Sequence, residues 1–270
     1  MTLNGGPLIR EMKAEDWPEF HSIDVEIFPD DMMERDWFMK WVERDGFYAL
    51  EDGGQLVGML IVAPFGDHDG HLGRIGVAKG HQGKGYGKAL MQYAIEWFRR
   101  RRTRRVHLYT QDFNSTAQGL YRRFGFEPSG TTWHYFIPFS SLEPSHLCTC
   151  QKIGNDEIEC VGAKCGEAMP ASQIRRFLSN DRYVVLTLKD SSGAIVGACR
   201  FTPSFPGCFP FVVDGAGHFD DFIAGVERFA LPGYDYVRVT FTDYPDIAEV
   251  CKERGYRLHH RLYKMTLDLG

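Results

Sequence analysis

The sequence lacks two features of membrane and exported proteins. It has no stretch of about twenty apolar residues, which argues against a transmembrane helix. Its first residues, MTLNGGPLIREMK, do not place an apolar segment after a charged one, which argues against a signal peptide. We therefore expect a soluble, cytoplasmic protein that does not bind membranes.

Excess positive charge and paired cysteines are also missing. The formal net charge is -5, so the chain as a whole should not be attracted to nucleic acid. The seven cysteines are an odd number without an export signal, which favours reduced thiols over a disulfide framework. Cys148, Cys150, Cys160 and Cys165 could hold zinc, but their wide spacing is unlike the usual short pairs. We interpret them as buried thiols and predict no metal.

The chain does have enough apolar sequence for two domains. It contains 270 residues, of which 43% are hydrophobic and 14% aromatic. The apolar runs Phe47–Leu50 and Gln55–Ala63 are joined by Glu-Asp-Gly-Gly, which predicts a β-hairpin. A further strand is predicted at Leu72–Val77, a helix at Lys88–Arg99 and a strand at Arg105–Thr110.

A glycine-rich loop lies between that strand and that helix. Residues His81–Leu90 read HQGKGYGKAL, with glycine at alternate positions. A glycine loop entering a helix leaves backbone N–H groups unpaired beside the positive end of the helix dipole, which together can bind phosphate. The spacing is neither G-x-G-x-x-G nor a P-loop, and a plain tight turn is the alternative.

Two motifs together resemble the GNAT superfamily of N-acetyltransferases. Gln82–Gly87 agrees with the family's Gln/Arg-x-x-Gly-x-Gly/Ala loop, and NSTAQGLYRRFGF follows further along with Asn114, Ala117 and Tyr121 in family order. The resemblance covers about Leu8–Phe139. It implies an α/β (α+β) fold, with a mixed, mostly antiparallel central sheet flanked by helices.

The resemblance also implies a reaction and a co-substrate. The protein would be an N-acetyltransferase that moves an acetyl group from acetyl-coenzyme A (acetyl-CoA) to a primary amine by direct attack. The backbone of Ile75–Val77 would pair with the pantetheine arm, the amides of Gln82–Lys88 would hold the pyrophosphate, and Asn114 would anchor the cofactor arm. The implied cofactor-binding residues are Ile75, Gly76, Val77, Gln82, Gly83, Lys84, Gly85, Tyr86, Gly87, Lys88 and Asn114.

Two residues are candidates for proton transfer. By resemblance Tyr121 lies near the thioester sulfur, where a phenol could protonate the departing thiolate; a core aromatic is the alternative. Val77 and neighbouring strand amides would polarise the carbonyl. His71 stands four residues before Ile75, where many family members place the general base, although the same segment also offers Asp67, His68 and Asp69.

The second half repeats the pattern of the first. The hairpin YVVLTL…AIVGACRFTP matches the earlier hairpin, and VRVTFTDYPDIAEVCKERGYRLHH matches the segment that carries Tyr121. The sequence thus predicts tandem GNAT units, residues 1–142 and 143–270. In the second unit Cys251 replaces Tyr121, Tyr244 or Pro245 replaces Asn114, and added aspartates stand in the shorter loop. We expect this unit to be degenerate and without cofactor, because aspartates would repel a pyrophosphate.

Some features leave the function open. The arginine run at residues 99–105 falls at the end of the predicted helix, where cations complement the dipole, and we interpret it as a solvated helix end. An acidic partner or ribosomal RNA is the alternative. Glu26, Asp30 and Asp31 could attract a cationic acceptor or lie in a solvated loop. The acceptor is a small-molecule amine or a protein N-terminal amine, and the protein a monomer or a homodimer. The alternatives are an acyl-CoA sensor or scaffold without turnover, and a transferase of another acyl group.

Overall fold

The computed structural model describes residues 7–66 and 68–270. Asp67, one of the candidates named above, lies outside them. The chain forms two compact units: residues through Pro128 with Met265–Gly270 form the first, and Ser129–Lys264 form the second. Each unit has a mixed, mostly antiparallel sheet with helices packed on it, so the predicted fold class is confirmed.

The first unit contains the predicted hairpin and the predicted strand–loop–helix segment. Its elements are β1 (Leu8–Glu11), α1 (Trp17–Ile27), α2 (Arg35–Val42), β2 (Phe47–Asp52), β3 (Gln55–Phe65), β4 (Asp69–Val77), α3 (Tyr86–Arg100), β5 (Arg105–Gln111) and α4 (Ser115–Arg123). Helix α3 begins two residues before the predicted start, because Gly85 takes a left-handed conformation as its N-cap.

Aromatic side chains hold the helices α1 and α2 on one face of the first sheet. Phe20 and Phe38 are fully buried, with ring centroids 4.8 Å apart, and both rings pack against Phe47 of β2. Helix α3 buries Trp97 and Phe98 in the same unit. Burial of each of these rings contributes roughly 2–3 kcal/mol, which stabilises the packing of the helices on the sheet.

Strand β4 has a different kind of neighbour on each side. It pairs with β3 in antiparallel fashion from Asp69 to Val77, with a bulge at Gly73 of β4, opposite Ile61 and Val62 of β3. On its other edge it pairs in parallel with β5, where Asp69–Leu72 lie opposite Arg105–Leu108. The last residues of the chain's final strand follow β5 in the sheet order.

The second unit repeats this arrangement. Its elements are β6 (Glu127–Pro138), β7 (Thr149–Lys152), α5 (Ile158–Cys165), α6 (Ala171–Leu178), β8 (Val184–Lys189), β9 (Ile195–Thr202), β10 (Gly207–Val213), α7 (Phe219–Glu227), β11 (Tyr236–Thr242), α8 (Pro245–Glu253) and β12 (Arg257–Asp268). The order β10–α7–β11–α8–β12 matches β4–α3–β5–α4–β6, so the predicted tandem repeat is confirmed. The functional boundary between residues 142 and 143 stays a prediction.

Three general findings concern the whole described chain. None of the helices in residues 7–66 and 68–270 is long and apolar enough to cross a bilayer. The seven cysteines are free thiols, and Cys160 is exposed rather than buried, because it lies on the outer side of α5. No three His, Cys, Asp or Glu side chains among the described residues converge as a metal site requires.

Candidate active site

An open strand edge forms one wall of the candidate site. The parallel pairing of β4 with β5 ends at Leu72 and Leu108, although both strands continue. Along the described part of β4, residues 73–77 therefore have no strand partner on the β5 side. These five residues include the predicted Ile75, Gly76 and Val77. An extended chain could add to this edge through main-chain hydrogen bonds.

The glycine loop begins at the end of this edge. Gly83 and Gly85 have φ values of 79° and 85°, a left-handed region that strongly favours glycine. A Cβ placed on either residue would meet no atom within 4 Å, so the space beside both is open. The first intrahelical hydrogen bond of α3 is donated by the Ala89 N–H to the carbonyl of Gly85, the N-cap residue. The N–H groups of residues 86–88 therefore have no intrahelical partner and can bind an anion.

The other loop side chains shape this cradle rather than enter it. The Gln82 amide nitrogen donates to the Val77 carbonyl at 3.0 Å, and the Gln82 backbone N–H donates to the Lys79 carbonyl. The Tyr86 hydroxyl donates to Asp52 in the turn between β2 and β3. Lys84 and Lys88 are exposed, so their charge is free to act on an anion in the loop.

Helix α4 carries the candidate residues Tyr121 and Asn114. Leu120 packs at the start of α3, since its Cδ2 lies 3.4 Å from a Cβ built on Gly87. Asn114 is the N-cap of α4 and accepts a hydrogen bond from Ala117 N–H at 3.1 Å, which leaves its side-chain NH2 for other partners. Tyr121 is 7% exposed, and burial raises its pKa to about 12. Its hydroxyl has no hydrogen-bond partner among residues 7–66 and 68–270.

His71 lies on β4 one residue before the parallel pairing ends. It is opposite Ala63 of β3 and His107 of β5, and its ring centroid is 5.9 Å from that of Tyr109. Burial lowers its pKa to about 4, against a hydrogen bond with the His107 backbone that raises it. His71 is therefore neutral at pH 7 and able to accept a proton, although it is a weaker base than a solvated histidine.

A polar cluster next to His71 was missed by the sequence analysis. His107 is 6% exposed; its Nε2 lies 3.1 Å from Asp69 Oδ2 and its Nδ1 lies 2.9 Å from Thr266 Oγ1. Arg105 pairs with the same carboxylate at 3.0 Å. The Asp69 carboxylate thus already contacts Arg105 and His107, and these contacts make it a poor general base. His68, the other candidate in this segment, is exposed.

Arg74 of β4 was also missed. Its guanidinium contacts Asp24 of α1 at 2.8 Å and the Asp31 carboxylate at 2.8 Å, and stacks over the Phe28 ring at 4.4 Å. Arg74 is 8% exposed and the Asp24 side chain is fully buried. The loop that follows α1 is therefore fixed to the strand directly before Ile75. An arginine inside an otherwise apolar strand was the sequence signal for such a pair.

The acidic candidates for acceptor binding are partly used by the fold. Asp31 pairs with Arg74, and Glu26 Oε1 accepts a hydrogen bond from Lys79 N–H at 3.2 Å. Asp30 is exposed. Only Asp30 thus keeps a carboxylate outside these contacts, which weakens the idea of a shared acidic pocket.

The corresponding positions of the second unit are filled by its own side chains. The Val213 N–H at the end of β10 donates to the Tyr244 hydroxyl at 3.1 Å, and the Ala216 N–H donates to Asp246 at 3.1 Å. Asp220 and Asp221 lie in the first turn of α7, where they satisfy the positive end of the dipole. In the second unit, therefore, one N–H at the end of β10 and one N–H in the turn before α7 are bonded to side chains of the unit itself.

Comparisons with known proteins find an acetyltransferase family in the first unit. The model of the "Acetyltransferase (GNAT) family" matches residues 9–126. Over 130 residues, 47% of this chain and 85% of the relative, the sequence is 25% identical to a putative [ribosomal protein bS18]-alanine N-acetyltransferase of Bacillus subtilis. The chain spans only about a third of the length of some mycothiol acetyltransferases that it also matches, 34% in one case.

Solved structures extend the likeness to both units. A GCN5-related N-acetyltransferase from Sphaerobacter thermophilus aligns with 97% of this chain and 95% of its own, at a TM-score of 0.74 and 17% identity. A tandem GNAT protein from the clavulanic acid biosynthesis pathway aligns with 98% of this chain and 99% of its own, at a TM-score of 0.64 and 14% identity. Such identities establish a shared fold and leave the reaction to the site itself. Residues 9–126 of this chain thus match the acetyltransferase (GNAT) family, and the chain shares its tandem fold with solved GNAT structures.

Proposed function

We propose that the protein transfers an acetyl group from acetyl-CoA to a primary amine, by direct attack in a ternary complex. The observation that carries this proposal is the open edge of β4, residues 73–77, which leads into the left-handed glycines and the unpaired amides of α3. In this proposal residues 1–142 are the catalytic domain. Residues 143–270 are a second, degenerate domain.

The residues present fit the bound co-substrate. Ile75–Val77 would hold its pantetheine arm through main-chain groups, and the amides of residues 83–88 would hold its pyrophosphate. The open space beside Gly83 and Gly85 gives the phosphates room to approach the backbone. The side-chain NH2 of Asn114 would add a hydrogen bond. The bound group supplies an acetyl thioester, which is already activated for transfer to nitrogen.

Tyr121 would hold the proton that the leaving sulfur requires. Because burial raises its pKa to about 12, the phenol stays protonated over the whole working range. It can therefore donate a hydrogen bond to the sulfur as negative charge develops there. The positive charge that forms on the attacking nitrogen would lower this pKa and ease the transfer. The Val77 N–H and its neighbours would polarise the carbonyl oxygen.

His71 would accept the proton that the acceptor amine loses, directly or through a water molecule. Two observations support it: its position beside the end of the parallel pairing, and its neutral state at pH 7. Its lowered pKa also limits it, since a base of pKa about 4 is weak. The acceptor would be a small-molecule amine or a protein N-terminal amine, as the name of the Bacillus subtilis relative suggests.

The second unit would have lost the co-substrate. Tyr244 and Asp246 already bond one N–H each at the positions where a pantetheine arm and a pyrophosphate would bind. Asp221 adds negative charge at the start of α7, while Asp220 pairs with Arg254. Because these backbone groups of the second unit are already bonded, we expect a single acetyl-CoA site per chain.

Calorimetric titration with acetyl-CoA tests the proposal. We expect one site per chain, abolished in Gly85→Glu and retained in Gly54→Glu. Gly54 is a matched control, because it also has a φ of +84° and open space for a side chain but lies in the β2–β3 turn. Release of free thiol with a panel of amines then measures turnover. Two sites would contradict a degenerate second unit, and no site would contradict acetyl transfer altogether.

The same assay separates the alternatives. Acetyl-CoA binding without turnover on any amine of the panel would indicate a sensor or scaffold. Faster thiol release from another acyl-CoA than from acetyl-CoA would indicate a different acyl donor.

A further inference from the structure

The arginine run at the end of α3 lines a cleft in the first unit. Six of the seven residues 99–105 are arginine. The cleft has a volume of about 550 Å³ and is also lined by Pro64, His68, Asp69 and Leu269. Helix α3 has 15 residues, so its two ends are roughly 22 Å apart, and the cleft is distinct from the glycine loop.

Two of the six arginines are neutralised and others are not. Arg101 pairs with Asp45 and stacks on Trp97 at 3.7 Å, and Arg105 pairs with Asp69. Arg99, Arg102 and Arg104 also line the cleft, and none of these three has a carboxylate partner within residues 7–66 and 68–270. Among the described residues that line the cleft, Asp69 is the one acidic side chain, and its carboxylate already contacts Arg105 and His107. The described side chains that line the cleft therefore carry more positive than negative charge.

The walls of the cleft are joined through one backbone position. The Arg104 N–H donates to the His68 carbonyl at 2.8 Å, and the Arg104 carbonyl accepts from Leu269 N–H at 2.7 Å. Three chain segments are thus fixed to one another beneath the guanidinium groups. A cleft held in this way can present arginines with less loss of entropy on binding than a free helix end could.

Arg102 occupies a position that normally selects glycine. Its φ is +56°. The Arg102 N–H donates to the Arg99 carbonyl, and the Thr103 N–H donates to the Phe98 carbonyl. These two hydrogen bonds define a Schellman motif in which Arg102 is the residue after the helix C-cap. An L side chain is disfavoured in this left-handed conformation. A solvated helix end would be served better by glycine, so the presence of arginine favours a role for the side chain.

We propose that this cleft binds a phosphate-bearing small molecule through Arg99, Arg102 and Arg104. Guanidinium groups form paired hydrogen bonds with phosphate oxygens, and three of them around a small cleft match a group with several negative charges. No Phe, Tyr or Trp side chain is among the described residues that line the cleft, which disfavours the base stacking used for single-stranded nucleic acid. This site is independent of acetyl transfer.

Calorimetry with inorganic tripolyphosphate tests the proposal. The titration uses the full chain with Gly85→Glu, so that the glycine loop does not bind the probe. We expect one saturable site, with an affinity reduced about tenfold or more in Arg102→Gly/Arg104→Ala and unchanged in the control Arg35→Ala/Arg44→Ala. Absence of binding, equal binding by all variants, or loss only in the Arg35/Arg44 control would overturn it.

Two further measurements make the test specific. Arg102→Gly alone should raise the midpoint of urea denaturation while it weakens tripolyphosphate binding, because glycine relieves the left-handed conformation. A lowered midpoint would instead assign Arg102 a structural role and overturn the proposal. A duplex or single-stranded oligonucleotide that displaces tripolyphosphate at lower phosphate concentration would reassign the cleft to nucleic acid.

Discussion

Arg74 Nη1 lies 2.8 Å from Asp24 Oδ1 in the core of the first unit, and this pair joins the strand that would bind the co-substrate to the helix that precedes the acceptor side. Met33 N–H donates to the other oxygen of Asp24 at 2.7 Å. The carboxylate thus orders both ends of the loop between α1 and α2. Since the loop contacts Arg74 through Phe28 and Asp31 as well, its position depends on one guanidinium.

Arg74→Met should destabilise the first unit by about 3 kcal/mol or more, because it leaves the Asp24 charge buried and unpaired. Asp31→Ala should cost less than about 1 kcal/mol, because the Asp31 side chain is 82% exposed. Urea denaturation of both variants measures the difference. Equal losses of unfolding free energy in the two variants would show that the buried Arg74–Asp24 pair stabilises the protein no more than the exposed Arg74–Asp31 pair.

The Arg74→Met deficit should also depend on pH. Burial raises the pKa of Asp24, while Met33 N–H and Arg74 oppose the rise. Without Arg74 the pKa of Asp24 rises further. When the folded pKa of a carboxyl exceeds its unfolded pKa, the free energy of unfolding falls as the pH increases from the unfolded value to the folded value. We therefore expect a smaller deficit near pH 5 than near pH 7.5. A deficit that is constant between these values would contradict a further rise of the Asp24 pKa in the variant.

His71 should set the acidic limb of the kcat/KM profile if it is the general base. The lowered pKa puts the midpoint of that limb near pH 4 in the free enzyme, below the ordinary histidine value of 6.5. Profiles taken with two acceptors of different amine pKa identify the limb that belongs to the protein, since it does not move with the acceptor. That limb should vanish in His71→Ala, and an unaltered limb would assign the base elsewhere.

The same residue should contribute to acid unfolding. Because the folded pKa of His71 lies below its unfolded value, its contribution is present above pH 6.5 and is lost as the pH falls toward 4. His71→Gln should remove up to about 3 kcal/mol of that pH dependence. Urea denaturation at the two ends of this window measures it, and an unchanged slope would mean that His71 is solvated.

Local chemistry explains why part of this architecture could be predicted. The β2–β3 hairpin follows from its Glu-Asp-Gly-Gly turn, and the loop before α3 follows from glycines whose left-handed φ values few other residues adopt. The repeat was visible because strand and helix patterns recur in the same order in both halves. These features depend on residues that are close in sequence.

The missed contacts depend on residues that are distant in sequence. Arg74 and Asp24 are 50 positions apart, and Asp69 and His107 are 38 apart. Nothing in the spacing of the chain selects one partner among several acidic residues, because helix α1 and strand β4 meet only once the sheet has formed. The sequence offers a signal that Arg74 needs a partner, but the identity of that partner is a tertiary property.

Tyr121→Phe should lower turnover by about 10²-fold or more with acetyl-CoA affinity nearly unchanged, because it removes only the proton donor. Stability should stay within about 0.5 kcal/mol, since the hydroxyl has no hydrogen-bond partner in the described part of the chain. Thiol release, calorimetry and urea denaturation measure the three quantities. Unchanged turnover would remove Tyr121 from the mechanism.

Tyr244→Phe in the second unit should give the opposite result. Its hydroxyl accepts the Val213 N–H at 3.1 Å, so the variant leaves a backbone donor without a partner at the end of β10. We expect a loss of about 1–3 kcal/mol in the free energy of unfolding, with turnover unchanged and still one acetyl-CoA per chain. The two Tyr→Phe variants are matched controls for each other. A loss of turnover in Tyr244→Phe as large as that in Tyr121→Phe would show that the second unit takes part in catalysis. Binding of a second acetyl-CoA molecule per chain would show that the Tyr244 hydroxyl alone had blocked the edge of β10.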